Sequence, residues 1–227
     1  MNNTLYENVN MINCGNTNCY VIRGDGGDIL IDTGTERYRS EIEMWLLNYD
    51  IKMIILTHGH NDHIGNAAYF SSLFGAGIYM SKADYSLTKD NLSRKIYKSG
   101  LLGRVVAKMS EDIMDQKAEP FDVTMFIDDG DTVGADIGAP VYIIGLGGHT
   151  KGSVGVVNGD DLYCGDAVIN MGRLTFPAIC ESPKASRQSI EMIGRLRPRR
   201  IFFGHGEPIE TKDNREYRDL FSKYVIM

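Results

Sequence analysis

Cysteine is scarce in this chain of 227 residues, which has four: Cys14, Cys19, Cys164 and Cys180. No two of them form a C-x-x-C pair, so the pattern favours reduced thiols over a disulfide framework. Most of these thiols are predicted to be buried. Cys164 stands apart because it lies two residues before Asp166, and on a strand both side chains would face the same way.

Long apolar runs and positive charge are also in short supply. No stretch has the roughly 20 apolar residues of a transmembrane helix, and residues 1–4 are polar, without the basic and apolar segments of a signal peptide. Lysine and arginine number 24 against 30 acidic residues, a formal net charge of -6. We therefore expect a cytoplasmic protein that binds neither nucleic acid nor an anionic membrane. Its oligomeric state is unknown from the sequence.

The apolar content is nevertheless sufficient for a sizeable core. The hydrophobic fraction is 43%, and the length suits one large domain or two small ones. No linker divides the chain, so a single domain over residues 1–227 is predicted. Residues 82–120 are rich in Lys, Ser, Asp and Met, with helical patches at 101–114. This helical insertion is either a lid or pocket wall over a site, or an ordinary surface connection.

Histidine is rare, but its placement is informative. Three of the five histidines lie in the segment T-H-G-H-N-D-H at residues 57–63, and the other two, His149 and His205, lie in glycine-bracketed turns. Imidazole and carboxylate are the ligands that a zinc-like cation accepts. Residues 51–57 read as a buried strand, so the metal-type residues begin where that strand ends. His58 and His60 can point to one side, while the residues after them can reach a second point nearby.

Other segments also carry the sequence signals of strands and helices. Residues 27–31 read as a strand whose apolar run, residues 29–31, ends at Asp32. Thr33 with Glu36 fits a capping box for a helix to about residue 48. Ser182 and Pro183 are typical of a helix start, and residues 201–203 form a final buried strand before His205. Strands and helices in two similar halves predict two mixed sheets packed face to face, with helices outside.

The segment at residues 58–63 resembles the H-x-H-x-D-H signature of the metallo-β-lactamase superfamily. Residues 31–34, 148–150, 165–166 and 204–206 follow in the order of that family, so the resemblance covers nearly the whole chain. It implies the α/β (α+β) fold of the family, a four-layer αββα sandwich. The chain looks most like the glyoxalase II-like branch of metal-dependent hydrolases.

Carried over residue by residue, the resemblance implies a complete set of metal ligands. The first metal would be held by His58, His60 and His149, the second by Asp62, His63 and His205, with Asp166 bridging both. Asp62 would also be catalytic, orienting the nucleophile. Asp32 and Thr150 would support the ligand loops from behind, although an aspartate at a strand end is often just a turn residue.

The implied function is hydrolysis. Two divalent ions, zinc before iron or manganese, would share a bridging hydroxide that attacks a small ester, thioester, lactone or related substrate. From the sequence after His205 we expect no counterpart of the glutathione-binding helical region of glyoxalase II, which leaves thioester specificity open. Substrate contacts are expected from residues 82–120 and from the loop with Arg173 and Phe176.

Three alternatives remain open. A mononuclear iron sulfur-dioxygenase of the same superfamily would use His58, His149 and Asp166 to hold its iron. A non-catalytic metal-dependent sensor is the second, and a purely structural zinc site is the third. Structural sites are usually closed and rich in cysteine, whereas this one contains none, so the pattern favours catalysis.

Overall fold

A computed structural model of the chain describes residues 4–6, 9–90, 93–98, 104–105, 107–108, 118–212 and 214–223. Its strands are β1 (Thr4–Tyr6), β2 (Val9–Cys14), β3 (Thr17–Ile22), β4 (Asp28–Ile31), β5 (Ile51–Ile55), β6 (Gly77–Met80), β7 (Tyr97–Lys98), β8 (Met125–Phe126), β9 (Thr132–Val133), β10 (Val141–Gly145), β11 (Val154–Asn158), β12 (Asp161–Tyr163), β13 (Ile169–Asn170), β14 (Leu174–Thr175), β15 (Ile179–Cys180), β16 (Arg200–Phe202) and β17 (Ile209–Glu210). The α-helices are α1 (Arg39–Leu46), α2 (Asn61–Ile64), α3 (Ala67–Phe74), α4 (Pro183–Leu196) and α5 (Arg215–Ser222).

Two mixed sheets organise the described residues. The first has the order β1-β2-β3-β4-β5-β6-β8, antiparallel as far as β4 and parallel from there on. The second has the order β17-β16-β12-β11-β10-β9, in which β12 and β16 are the parallel pair. Two small two-stranded sheets, the hairpin of β13 with β14 and the pair of β7 with β15, lie outside these sheets.

The sheets pack face to face over a shared apolar core. Ile29 and Ile31 of β4 belong to this core, while Leu30 between them faces the helices on the other side of the sheet. Burial on both faces explains the apolar runs at residues 29–31 of β4 and 53–55 of β5. Tyr163 stacks on Phe202 with ring centroids 4.7 Å apart.

Helices cover the outer face of each sheet. Helix α1 buries Ile42 and Leu46 against the first sheet, and α4 buries Ile190 and Ile193 against the second. Ser182 caps α4 by accepting a hydrogen bond from the Ala185 amide, followed by proline in the first turn, as the sequence predicts. The predicted four-layer αββα sandwich is therefore confirmed.

The predicted capping box at Thr33 and Glu36 is wrong. The chain after β4 passes through left-handed backbone at Asp32 (φ 56°) and Gly34 (φ 68°). This path directs the Thr33 hydroxyl to the carbonyl of His63, which it meets at 2.8 Å, instead of to a helix amide. A 3-10 turn over Glu36–Tyr38 then leads into α1.

The insertion predicted at about residues 82–120 is described in part. It begins with a 3-10 helix, Lys82–Thr88, and continues to β7, which pairs with β15. The helical patches predicted at 101–114 fall mostly outside the described residues. Among the helices that are described, none combines the length and apolar character that crossing a membrane requires.

The four cysteines are free and buried, as predicted. The Cys164 thiol donates to the carbonyls of Gly165 (3.6 Å) and Val168 (3.9 Å) and belongs to the core beneath α4. Burial raises the pKa of this thiol. Its sulfur therefore acts as a small core group, although Asp166 is two residues away.

Candidate metal centre

Every candidate ligand follows the C-terminal end of a strand. The segment with His58 follows β5, whereas His149, Asp166 and His205 follow β10, β12 and β16. The last three strands run in one direction, because β11 lies antiparallel between β10 and β12, and β12 is parallel to β16. Their C-terminal ends therefore meet at one edge of the sandwich. The Val154 amide donates to the Thr57 carbonyl at 2.8 Å and joins the two sheets at that edge.

Three histidines converge at the first position. His60 Nδ1 lies 3.1 Å from His58 Nε2 and 3.0 Å from His149 Nε2. Two ligands about 2.0–2.1 Å from a tetrahedral zinc ion are separated by about 3.4 Å. The three nitrogens are therefore spaced like neighbouring corners of one coordination shell.

Asp62, His63 and His205 converge at a second position. Asp62 Oδ2 lies 3.4 Å from His205 Nε2 and 3.8 Å from His63 Nε2. The Asp62 and His63 side chains are carried by the short helix α2, which begins inside the histidine-rich segment. The turn into this helix lets one segment supply two separate positions.

Asp166 lies between the two groups. Its Oδ2 atom is 3.4 Å from His149 Nε2 and 3.2 Å from His205 Nε2, while its Oδ1 atom is 3.5 Å from His63 Nε2. One carboxylate thus reaches both sets of imidazoles, which is the arrangement that a bridging ligand requires.

Hydrogen bonds to the remote ring nitrogens orient four of the histidines. The Nδ1 partners are Thr57 Oγ1 for His58 (3.1 Å), Asp32 Oδ2 for His63 (2.7 Å), the Ile179 carbonyl for His149 (3.0 Å) and the Asn16 carbonyl for His205 (2.7 Å). A carbonyl or carboxylate at Nδ1 fixes the proton there and leaves Nε2 free to bind a cation.

The two predicted supporting residues lie beside the ligand loops. Asp32 accepts hydrogen bonds from the Thr57 amide and hydroxyl, both at 2.8 Å, in addition to contacting His63. The Thr150 hydroxyl contacts the carboxylate of Asp84 at 2.5 Å and the Ser153 hydroxyl at 2.7 Å. Thr150 is therefore connected through the Asp84 carboxylate to the loop that carries His58 and His60.

The two positions differ in the pKa values of their buried histidines. Burial and the neighbouring His149 lower the pKa of His60 to about 3. Burial by itself would lower the pKa of His63 as well, but the carboxylates of Asp62, Asp32 and Asp166 outweigh it and raise that pKa to about 9. In the metal-free protein the imidazole of His60 is therefore neutral near pH 7, whereas that of His63 holds a proton.

The buried histidines also affect the carboxyl group of Asp166. Burial would raise the pKa of Asp166, yet His205, His63 and His149 hold it well below its usual range. Asp166 Oδ1 and His63 Nε2 are both buried and have no hydrogen-bond partner among the described residues. Buried polar atoms are nearly always paired, so two such atoms facing each other fit a bound cation. The donor set therefore suits divalent zinc-like ions.

Two supporting features were missed from the sequence. Asn18 is buried in β3 and donates through Nδ2 to the carbonyls of Phe203 (3.1 Å) and Gly206 (2.7 Å), on either side of His205. Asp84 is completely buried in the 3-10 helix Lys82–Thr88. In sequence it looks like an ordinary acidic residue in a first helical turn, capped by Ser81.

The two residues predicted to contact the substrate, Arg173 and Phe176, lie in different environments. Arg173 is exposed in the turn between β13 and β14, whereas Phe176 packs against the core beneath α4 and α5. The Ile179 carbonyl of β15 contacts His149, and β15 pairs with β7 of the insertion. The insertion therefore reaches the edge of the metal centre through β7.

Comparison with known proteins agrees with this geometry. The model of the metallo-beta-lactamase superfamily matches residues 12–205. The chain therefore belongs to the metallo-beta-lactamase superfamily.

Individual relatives are distant. The chain is 28% identical over 200 residues to beta-lactamase-like protein 2 homolog of Drosophila melanogaster, covering 86% of this chain and 60% of that protein. It is 27% identical over 165 residues to hydroxyacylglutathione hydrolase GloC of Haemophilus influenzae, covering 70% and 71% of the two chains. The solved structure of TTHA1623, in a di-iron-bound form, shares the fold with a TM-score of 0.66 at 21% identity, over 95% of this chain and 96% of that one. The chain thus spans about three fifths of the fly relative.

Proposed function

We propose that the protein is a metal-dependent hydrolase that holds two zinc ions and cleaves a small ester, thioester, lactone or related bond. The observation that carries the proposal is the pair of three-ligand groups on either side of Asp166. Relatives named hydroxyacylglutathione hydrolase support hydrolysis as the reaction class. When bound, such ions supply Lewis acidity and a water that deprotonates near neutral pH.

The chain itself directs the substrate to one side of the centre. The side chains of Asp62 and His205 are 20% and 17% exposed, whereas that of His63 is fully buried. The open side of the centre therefore lies at Asp62 and His205. Asp62 can orient the attacking water there, which is the catalytic role expected for it.

The proposal includes a small-molecule substrate and a cytoplasmic location. The four free, buried thiols agree with a reducing compartment. Cell fractionation followed by immunoblotting tests the location directly, and recovery in the periplasmic or secreted fraction would contradict it.

Elemental mass spectrometry on protein purified without added metal or chelator tests the metal content. About two zinc ions per chain are expected. The zinc form should then hydrolyse at least one member of a panel of thioesters, lactones and aryl esters. One iron per chain, with oxygen uptake on a persulfide, would instead support the sulfur-dioxygenase alternative.

Two variants connect the activity to the centre. His60→Ala and Asp166→Ala should abolish turnover and lower metal content, while circular dichroism shows an intact fold. Asp122→Ala removes an exposed carboxylate outside the centre and serves as the control. Full activity in either ligand variant would refute the proposal.

A further inference from the structure

A buried carboxylate outside the ligand set joins the two loops that form the three-histidine position. Asp84 Oδ2 accepts hydrogen bonds from the Gly59 amide at 3.1 Å and from the Thr150 hydroxyl at 2.5 Å. Its Oδ1 atom accepts from the Gly152 amide at 2.8 Å. Gly59 lies between His58 and His60, and Thr150 directly follows His149. A single side chain therefore connects residues that adjoin all three histidines.

The backbone around Asp84 is packed closely against both loops. A Cβ atom on Gly152 would lie 2.7 Å from Asp84 Cγ. A Cβ atom on Gly59 would lie 2.8 Å from Leu87 Cβ and 2.9 Å from the Asp84 carbonyl oxygen. The 3-10 helix Lys82–Thr88 is therefore in close contact with both loops, independently of the hydrogen bonds.

Arg94 closes the network on its outer side. Its Nη1 atom lies 2.9 Å from Asp84 Oδ1 and 3.1 Å from Glu181 Oε1. Glu181 in turn accepts from the Lys151 amide at 2.8 Å and donates its own amide to the His149 carbonyl at 2.9 Å. The guanidinium thus balances a carboxylate that would otherwise be buried without a counter-ion.

We propose that Asp84 is a positioning residue for the three-histidine metal position, with Arg94 as its counter-ion. This inference rests on the proposed two-metal centre. Both carboxylate oxygens of Asp84 accept hydrogen bonds from backbone amides. An asparagine there would replace one oxygen with an NH2 group, which would face the amide N–H of Gly59 or of Gly152. The loops would separate slightly, and the spacing of His58, His60 and His149 would widen. The second position, built on α2 and the His205 turn, has no contact with Asp84 in the hydrogen bonds described.

Metal affinity of Asp84→Asn, measured by competition with a chromophoric chelator, tests the inference. Zinc binding at the three-histidine position should weaken by about 10- to 100-fold, the usual effect of losing a support behind a ligand. The measurement is made in a His205→Ala background, which removes the second position. In a His60→Ala background, the same substitution should leave the remaining affinity unchanged.

Asp161→Asn is the matched control. Asp161 is also a buried carboxylate paired with an arginine, at 2.7 and 2.5 Å from Arg200, but it lies at the opposite end of β12 from Asp166. Asp161→Asn should lower stability without changing zinc affinity. If Asp84→Asn does not fold, Arg94→Gln, which removes the counter-ion and keeps the carboxylate, should show a smaller loss at the same position.

The outcomes separate the two proposals. Wild-type affinity in Asp84→Asn, or an equal loss in Asp161→Asn, would overturn the positioning role and leave the two-metal hydrolase standing. Wild-type protein that binds no zinc would overturn both.

Discussion

The Oδ2 atom of Asp32 lies 2.7 Å from Nδ1 of His63, and both side chains are almost completely buried. The same carboxylate receives the amide and hydroxyl of Thr57, the residue immediately before His58. Asp32 adopts a left-handed backbone (φ 56°), which aspartate and asparagine tolerate better than most residues. The strand end is therefore shaped to present one carboxylate to the metal-binding segment.

Asp32→Asn should weaken metal binding at the position with His63 by about 10- to 100-fold, because the imidazole loses the charged acceptor that orients it. Asparagine keeps the backbone conformation, so the effect reports the side chain. Zinc competition titrations measure it. Asp28→Asn, at the other end of β4 and paired with the amides of Gly24 and Asp50, is the control and should leave affinity unchanged. An unchanged Asp32→Asn titration would contradict the prediction.

Metal binding should depend on pH differently at the two positions. The pKa of His63 is raised to about 9, so a cation must displace its proton at neutral pH, whereas the pKa of His60, about 3, leaves no proton to displace. Affinity at the second position should therefore fall about tenfold for each pH unit below 9 and each proton displaced.

Chelator competition between pH 6 and pH 9, with a pH indicator to count released protons, measures this difference. The stability of the metal-free protein should depend on pH in the opposite direction to the metal affinity. A raised histidine pKa adds stability below about pH 6.5, and that contribution is lost as the pH rises through about 9. Equal pH dependence of the metal affinity at both positions would contradict the predicted difference in histidine protonation.

Asn18→Ala should destabilise the protein by about 1–3 kcal/mol, because the Gly206 carbonyl loses its amide donor and the Phe203 carbonyl keeps the Tyr20 hydroxyl but loses Asn18. Since these carbonyls flank His205, zinc binding at the second position should weaken as well. Urea unfolding of the metal-free protein and zinc titration measure the two effects. Asn13→Ala, which removes a donor to Asn18 itself, is the milder control. A loss of stability with no change in affinity would limit Asn18 to the fold.

Gly204→Ala should abolish metal binding. A Cβ atom at Gly204 would lie 2.1 Å from Asp166 Oδ1 and 2.7 Å from His63 Cε1, so two candidate ligands would have to move. Metal content by elemental mass spectrometry checks the result. Gly26→Ala is the comparison, because its added atom would make only ordinary contacts, the nearest at 3.4 Å from the Ile137 carbonyl oxygen. Two metals retained in Gly204→Ala would place the ligands elsewhere.

The grouping of the candidate ligand residues was predictable because their side-chain chemistry and their spacing are both visible in the sequence. The alternation of His58 and His60, and the glycine turns around His149 and His205, are local patterns that survive in the linear sequence. The layers of the sandwich were predictable for a similar reason, since strands and helices each have a characteristic apolar period.

The supports were not predictable, because their partners are distant in sequence. Asn18 contacts a turn nearly 190 residues away, and its own surroundings resemble any polar position in a strand. Thr33 satisfies the sequence rule for a helix cap, but a left-handed turn at Asp32 carries its hydroxyl to His63 instead. Tertiary contacts decided between two hydrogen-bonding options that the local sequence leaves equal.

Each proposed metal position draws ligands from both sheets. His58 and His60 follow the first sheet and His149 the second, and the other position divides in the same way between α2 and the His205 turn. A folding intermediate with one sheet formed would hold at most two ligands of either position, too few to retain an ion firmly. Metal ions would therefore bind after the two sheets have packed together. Once bound, the ions would link the sheets and slow their separation during unfolding.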